Sequence, residues 1–169
     1  MIVISDTTPI LSLLKCGQLD LLRKLYGFVI VPESVYDELT TNPVFEYEKT
    51  EILGCPFIKV EKVCNRESVL ILRNVTGLDA GESEALILYG EQKADILLID
   101  EHKGRRVAKQ MSVERIGTMG IFMMAYDKGI IKSSEVSHCL EVLLDKDIRL
   151  SKNLCNKVLE YIGFGKTRD

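Results

Sequence analysis

The segment MIVISDTTPIL (residues 1–11) changes character within a few positions. The β-branched run at residues 2–4 predicts a buried strand, and Pro9 predicts the first turn of a helix directly after it. Asp6 lies at the junction between the two. An acid at this point is either part of a turn, ahead of a cap supplied by Thr7 or Thr8, or one side of an active site.

The rest of the chain repeats this alternation of short apolar runs and longer amphipathic stretches. Further strands are predicted at residues 28–31, 57–60, 96–99 and, more weakly, 113–116. Helices are predicted at residues 9–14, 19–25, 32–40, 79–91, 101–110 and 117–128. Runs that are apolar on both faces are typical of a parallel sheet. The pattern therefore predicts an α/β fold in which helices cover an open sheet, and it is weakest at residues 42–78.

The end of the chain predicts a helical pair. Residues 133–144 and 151–161 have helical patterns, with Ser133 and Ser151 as N-caps. The chain contains no internal repeat and no Pro, Gly or Ser-rich linker. We therefore expect a main domain at residues 1–131 and a helical extension at residues 132–169 that packs on the same domain.

Composition narrows the functional classes. Hydrophobic residues make up 46% of the 169 residues, charged residues 28%, and the net charge is −3. This balance argues against a protein that coats nucleic acid through bulk positive charge. It does not exclude local contacts with a few phosphates. The chain has no apolar run of about 20 residues and no secretory signal pattern, which predicts a cytoplasmic protein without a membrane segment.

Histidine and cysteine usage limits the metal chemistry. Two histidines exclude a histidine-rich site, and the five cysteines are scattered without metal-ligand spacing. Any bound metal would have oxygen ligands, which predicts Mg²⁺ or Mn²⁺.

Several acids are predicted to meet near one end of the sheet. Ligand sites in open α/β sheets lie beyond the carboxyl ends of the strands, and Asp6 and Asp100 each follow a predicted strand. The two lie side by side if the first and fourth strands are neighbours. The helices add Glu38 and, in GLDAGESEALIL (residues 77–88), Glu82 and Glu84.

Each acid also has an ordinary structural explanation. Asp100 is placed to cap the helix that starts at Glu101, and Glu38 to lie on a solvated helix face. Asp79 and Glu82 have the spacing of a capping box, in which Glu82 binds backbone. Glu84 is then the freer acid of the pair, and we rank it ahead of Glu82.

Together the acids predict a cation site. Four converging carboxylates repel one another and take up protons unless a cation neutralises them. Magnesium accepts oxygen ligands and bridges to phosphate. A site with one or two such ions can activate water and stabilise the leaving oxygen of a phosphodiester.

Four pieces of the chain, in order, resemble a known family. SDTTPIL, VPESVYDEL, LDAGESEAL and LLIDEHKGRRVA, within residues 2–110, are similar to the motifs of PIN-domain proteins, metal-dependent ribonucleases that include the VapC-type toxins. GTMGIFMMAYDKGII (residues 117–131) resembles the helix that follows in one prokaryotic subgroup. The resemblance implies a five-stranded parallel sheet of order 3-2-1-4-5 and an Mg²⁺- or Mn²⁺-dependent endoribonuclease.

The resemblance also implies site residues and partners. The catalytic and metal-binding residues would be Asp6, Glu38, Glu84 and Asp100, with Glu82 as the alternative to Glu84. The partners would be RNA, a second copy of the chain in a homodimer, and the protein antitoxin of a toxin–antitoxin pair.

Basic and hydroxyl side chains near the acids are candidate substrate contacts. Predicted contacts with the RNA backbone are made by Ser5, Thr7, Lys103, Arg105, Arg106 and Lys109. On a helix, Arg105 and Lys109 share a face. The alternative for the basic residues is an ordinary solvated helix surface.

Two other functions compete with the nuclease. A non-catalytic RNA-binding or regulatory module would retain the acids without assembling an ion site. A phospho-acceptor domain needs two adjacent acids after the first strand and a lysine after the last. Asp6 stands alone and the last run ends in Ile116-Gly117, which argues against that function.

Overall fold

Five short strands form one parallel sheet in the part of the chain that the computed structural model describes, residues 1–146 and 152–164. The strands are β1 (Val3–Ser5), β2 (Val29–Pro32), β3 (Ile58–Glu61), β4 (Ile96–Leu98) and β5 (Arg115–Ile116). Their order is β3-β2-β1-β4-β5, which confirms the predicted fold class and strand order. The ends of the predicted runs differ from those of the strands by at most two residues.

Helices connect and cover the strands. They are α1 (Thr7–Lys15), α2 (Asp20–Tyr26), α3 (Glu33–Thr41), α4 (Glu46–Leu53), α5 (Arg66–Thr76), α6 (Ala80–Glu91), α7 (His102–Gln110), α8 (Thr118–Asp127), α9 (Ser133–Asp145) and α10 (Lys152–Phe164). The weakly predicted residues 42–78 contain α4 and α5. In α5 only Val69 is buried, whereas Leu70, Ile71 and Val75 are exposed.

The two faces of the sheet pack against different helices. Val3 and Leu98 belong to a core cluster that includes side chains from α1, α2, α8, α9 and α10. Ile4 and Leu97 point to the opposite face, with α5, α6 and α7. Successive residues of a strand alternate between faces, so these strands must be apolar throughout.

The strand order reverses between β1 and β4. Ser5 pairs with Leu98, and the N–H of Asp6 donates to the C=O of Leu98 at 3.0 Å. The backbone of both strands therefore ends at the same edge of the sheet. Residues that follow β1 and β4 are placed where open α/β folds bind ligands.

The C-terminal helices share the main core. Val136, Leu143 and Val158 are buried in the same cluster as Val3. Ser133 is the first residue of α9, with Lys132 rather than Ser133 at the cap position, which corrects the predicted cap. Ser151 lies outside the described residues. The division of the chain at residue 131 stays a prediction.

A search of the described helices for membrane-spanning segments found none of sufficient length and apolarity.

Candidate functional site

Asp6 lies at the centre of the candidate site. It is 4% exposed and occupies the N-cap position of α1, yet its carboxylate makes no capping hydrogen bond to that helix. Burial raises the pKa of Asp6 to about 8, with a smaller opposing contribution from the amide of Thr7. The nearby charges of Asp79, Glu82 and Glu38 raise this pKa further. A simple turn role does not account for an acid in these surroundings.

Thr7 and Ser5 fix the backbone and neighbours of Asp6. The hydroxyl of Thr7 donates to Glu38 Oε2 at 2.6 Å, which brings Glu38 to the Asp6 side of α3. Ser5 is 0% exposed, and its hydroxyl donates to the C=O of Asp6 at 2.9 Å. The predicted substrate contact of Ser5 is therefore corrected, since Ser5 lies beneath the surface and supports the turn.

Glu82 forms the capping box with one oxygen and has a second oxygen without a partner in the described structure. Its Oε2 accepts from the N–H of Asp79 at 3.2 Å, and Asp79 Oδ1 accepts from the N–H of Glu82 at 2.8 Å. This is the predicted capping box. The second oxygen, Glu82 Oε1, is buried and has no hydrogen-bond partner among the described residues. Burial also raises the pKa of Glu82.

Glu84 is bound by groups outside the Asp6 cluster. Its carboxylate accepts from the N–H of Ser34 at 3.2 Å and from the guanidinium of Arg66, which also pairs with Glu33 at 2.8 Å. The prediction that Glu84 is the freer acid is therefore wrong. Residues two apart on a helix point in different directions, and Arg66 comes from α5, which the sequence barely indicated.

Asp100 turns toward α8. Its two oxygens accept from the N–H of Thr118 at 2.8 Å and from the Thr118 hydroxyl at 2.5 Å. The N-cap of α7 is Glu101, so Asp100 does not cap that helix. Burial raises the pKa of Asp100, whereas Thr118 and the charge of Arg105 lower it.

Glycine backbone lies against these acids. A Cβ on Gly104 would come within 2.6 Å of Glu82 Oε1, and one on Gly117 within 2.6 Å of Asp100 Oδ1. A Cβ on Gly81 would lie 3.4 Å from Asp6 Oδ1. The small residues of GLDAGESEAL and HKGRRVA thus allow α6 and α7 to approach the carboxylates closely.

The basic residues of α7 separate into different positions. The ammonium group of Lys103 donates to the C=O of Gly77, whereas Arg105 is half-buried and donates to the C=O of Ile99 at 2.8 Å. Arg106 and Lys109 are exposed. Arg105 lies beside Asp100, and together they line a cleft of about 740 Å³.

Sequence reasoning missed Thr118, Arg115 and Arg66. Thr118 follows β5 at the same sheet edge as Asp6 and Asp100. A clearer strand pattern at residues 113–116 would have predicted its position. Arg66 has no such signal, because its partners lie at distant positions in the chain.

A family model described as a PIN domain matches residues 2–163. The chain belongs to the PIN-domain family. PIN domains are generally nucleases that act on RNA, and they generally use divalent metals. The match extends through α9 and into α10, beyond the motifs that carried the resemblance. Comparisons with curated proteins and with solved structures found no match.

The acids of this PIN domain suit a divalent cation in their chemistry. Asp6, Glu82 and Glu38 offer only oxygen atoms, one of them the buried and unpartnered Glu82 Oε1. Within residues 1–146 and 152–164, however, no three Asp, Glu, His or Cys side chains form a ready metal-binding group. A cation would therefore have to draw the carboxylates closer together.

Proposed function

We propose that this PIN domain is a metal-dependent endoribonuclease that hydrolyses RNA phosphodiester bonds at the carboxylate cluster around Asp6. The observation that supports the proposal most strongly is the crowding of negative charge around one buried acid. Burial and three neighbouring carboxylates raise the pKa of Asp6 to about 8, as expected for a site that a cation neutralises.

The proposed ligands of Mg²⁺ or Mn²⁺ are Asp6 and Glu82, with Glu38 and Asp100 at the margins of the site. Glu84 stays the alternative to Glu82, but it would have to exchange its Arg66 partner for the ion. When bound, the cation supplies Lewis-acid activation of water and compensates charge on the leaving oxygen.

The surrounding side chains orient the acids. The hydroxyl of Thr7 orients Glu38, and the N–H of Asp79 binds one oxygen of Glu82, whereas the buried Oε1 has no hydrogen-bond partner among the described residues. Thr118 fixes both oxygens of Asp100. Lys103, Arg105, Arg106 and Lys109 are proposed to hold the RNA backbone, and such phosphate contacts position a substrate without reading its sequence. Thr7 is buried and its hydroxyl is bound to Glu38, which corrects its predicted contact with RNA.

The test is cleavage of a mixed single-stranded RNA with Mn²⁺ or Mg²⁺ and with chelator. Native protein is compared with Asp6→Asn and with Asp37→Asn, an exposed control on α3. We expect metal-dependent cleavage by the native and control proteins, and a loss of more than about 100-fold in Asp6→Asn, since even second-shell changes cost up to that factor. Equal cleavage by Asp6→Asn contradicts the proposed site.

A non-catalytic RNA-binding module is the second candidate. It is favoured by the lack, in the described residues, of a ready group of three metal ligands. This candidate predicts that native protein and Asp6→Asn retain RNA equally and that neither cleaves it in the presence of metal.

The biological setting is also a proposal. We propose a cytoplasmic toxin that forms a homodimer and is held inactive by a protein antitoxin. Expression of the native protein should then arrest growth, and a neighbouring small gene product should relieve the arrest. Growth arrest by Asp6→Asn as strong as that by native protein contradicts a toxicity that depends on the nuclease.

A further inference from the structure

The cleft beside Asp100 has a polar wall that the acid cluster does not explain. Thr8 and Ser12 of α1, Arg105 of α7, and Arg115 and Thr118 near β5 line this wall. The cleft lies at the N-terminal end of α8, where the helix carries partial positive charge.

Two donors in this wall are buried without partners. Ser12 is 1% exposed, and its Oγ has no hydrogen-bond partner among the described residues. The Nε of Arg115 is likewise buried and unpartnered within that part of the chain, although its Nη1 donates to the C=O of Val113 at 3.2 Å. Both atoms are buried, so the donors that a ligand in the cleft can reach are the other guanidinium nitrogens. Of the guanidinium nitrogens of Arg105 and Arg115, only the two Nη1 atoms donate to carbonyl groups of the described residues.

The charges of the cleft favour a phosphate group. Arg105 and Arg115 supply two guanidinium groups, the side chains best suited to phosphate oxygens. Asp100 and Glu101 also line the cleft. Both Asp100 oxygens accept from Thr118, and among the described residues neither Asp100 nor Glu101 forms a salt bridge with Arg105 or Arg115.

Part of the lining is apolar. It consists of Ile116, Met119 and Leu154, and Leu154 belongs to α10. A cleft lined by both guanidinium groups and aliphatic side chains suits a nucleotide, which has a charged phosphate and an apolar base face. The C-terminal helix thereby contributes directly to the cleft.

We propose that this cleft is a subsite for the RNA nucleotide next to the cleaved bond. Arg115 and Arg105 hold its phosphate, and the wall formed by Ile116, Met119 and Leu154 holds its base. The inference rests on the proposed nuclease function and adds two recognition residues to it, Arg115 and Leu154. Because Leu154 lies in α10, this helix contributes to the selection of the base.

The test measures binding of a fluorescein-labelled single-stranded RNA hexamer by anisotropy, with chelator present so that no cleavage occurs. Arg115→Gln is compared with native protein and with Arg73→Gln, an exposed control on α5. We expect Arg115→Gln to weaken binding about tenfold. It should also reduce the slope of log affinity against log salt by about 0.7, the value for one phosphate contact on a single strand. Arg73→Gln should bind like native protein.

A second pair of variants tests the same cleft independently, in case Arg115→Gln does not fold. Leu154→Glu places a negative charge at a position that is 39% exposed, and Leu159→Glu makes the same change on α10 at a position that is 44% exposed. We expect Leu154→Glu alone to weaken binding. Thermal unfolding of each variant checks that the fold is intact.

The outcomes distinguish this subsite from the nuclease itself. Native-like binding by folded Arg115→Gln and Leu154→Glu overturns the subsite even if Asp6→Asn abolishes cleavage. Weakened binding in both variants supports the subsite even if the native protein cleaves no RNA.

Discussion

Asp6 has an unusual dependence on pH because its carboxyl is buried among other acids. Its pKa rises from the ordinary value of 3.8 to about 8 in the folded protein. The unfolded chain therefore loses this proton at lower pH than the folded chain does. The contribution of Asp6 to the free energy of unfolding is therefore complete below its unfolded pKa. It declines as the pH rises above that value and is lost once the pH passes about 8.

We predict that Asp6→Asn, measured in chelator, is more stable than native protein at about pH 8 and loses less stability between about pH 5 and pH 8. The gain in free energy of unfolding should be on the order of a few kcal/mol, because one pKa unit corresponds to about 1.4 kcal/mol. Urea unfolding measures it. Adding Mn²⁺ should raise the unfolding temperature of native protein more than that of the variant. Identical pH dependence in the two proteins would contradict the environment assigned to Asp6.

Glu82 and Glu84 provide a matched pair. We predict that Glu82→Gln lowers metal-dependent cleavage by more than about 100-fold. Glu84→Gln should lower cleavage less and stability more, by about 1 kcal/mol, because it weakens the contact with Arg66. Cleavage rates and chemical unfolding of both variants measure these effects. The opposite order of cleavage defects would assign the metal to Glu84 instead.

The close packing of α7 against Glu82 depends on a single glycine. A Cβ on Gly104 would lie 2.4 Å from Ile99 Cδ1 and 2.6 Å from Glu82 Oε1, whereas nothing lies within 4 Å of a Cβ on Gly90 in α6. We predict that Gly104→Ala destabilises the fold by about 1–3 kcal/mol and reduces cleavage, because a buried neighbour must move. Gly90→Ala should instead be neutral or stabilising by up to about 1 kcal/mol. Equal effects on unfolding would show that α7 has room to shift.

The C-terminal helices belong to the same core as the sheet, so a change in α9 should affect the entire fold. Leu143 is 0% exposed and its neighbour Leu144 is 50% exposed. We predict that Leu143→Ala lowers the free energy of unfolding by about 2–5 kcal/mol and Leu144→Ala by less than about 0.5 kcal/mol. Denaturant unfolding should show one cooperative transition for both variants. A separate early transition in Leu143→Ala would indicate that α9 and α10 fold independently of the sheet.

Local patterns were enough to predict the sheet and much of its surroundings. Short apolar runs predicted β1 to β4 within one or two residues, although only Ile58 of β3 is buried, and the Asp79–Glu82 spacing predicted the capping box. The 3-2-1-4-5 order came from the resemblance to PIN domains. Local patterns failed at α4 and α5. In α4 polar and apolar residues are mixed around the helix, and in α5 the apolar residues Leu70, Ile71 and Val75 are exposed while only Val69 is buried.

The partners of the acids depended on contacts between residues far apart in the chain. Asp100 binds Thr118, Glu84 binds Arg66 of α5, and the unpartnered oxygen of Glu82 lies against Gly104 of α7. A sequence motif specifies which acids are present and how they are spaced along one element. It does not specify the rotation of that element against its neighbours, and this packing determines which carboxylate meets a cation and which meets an arginine.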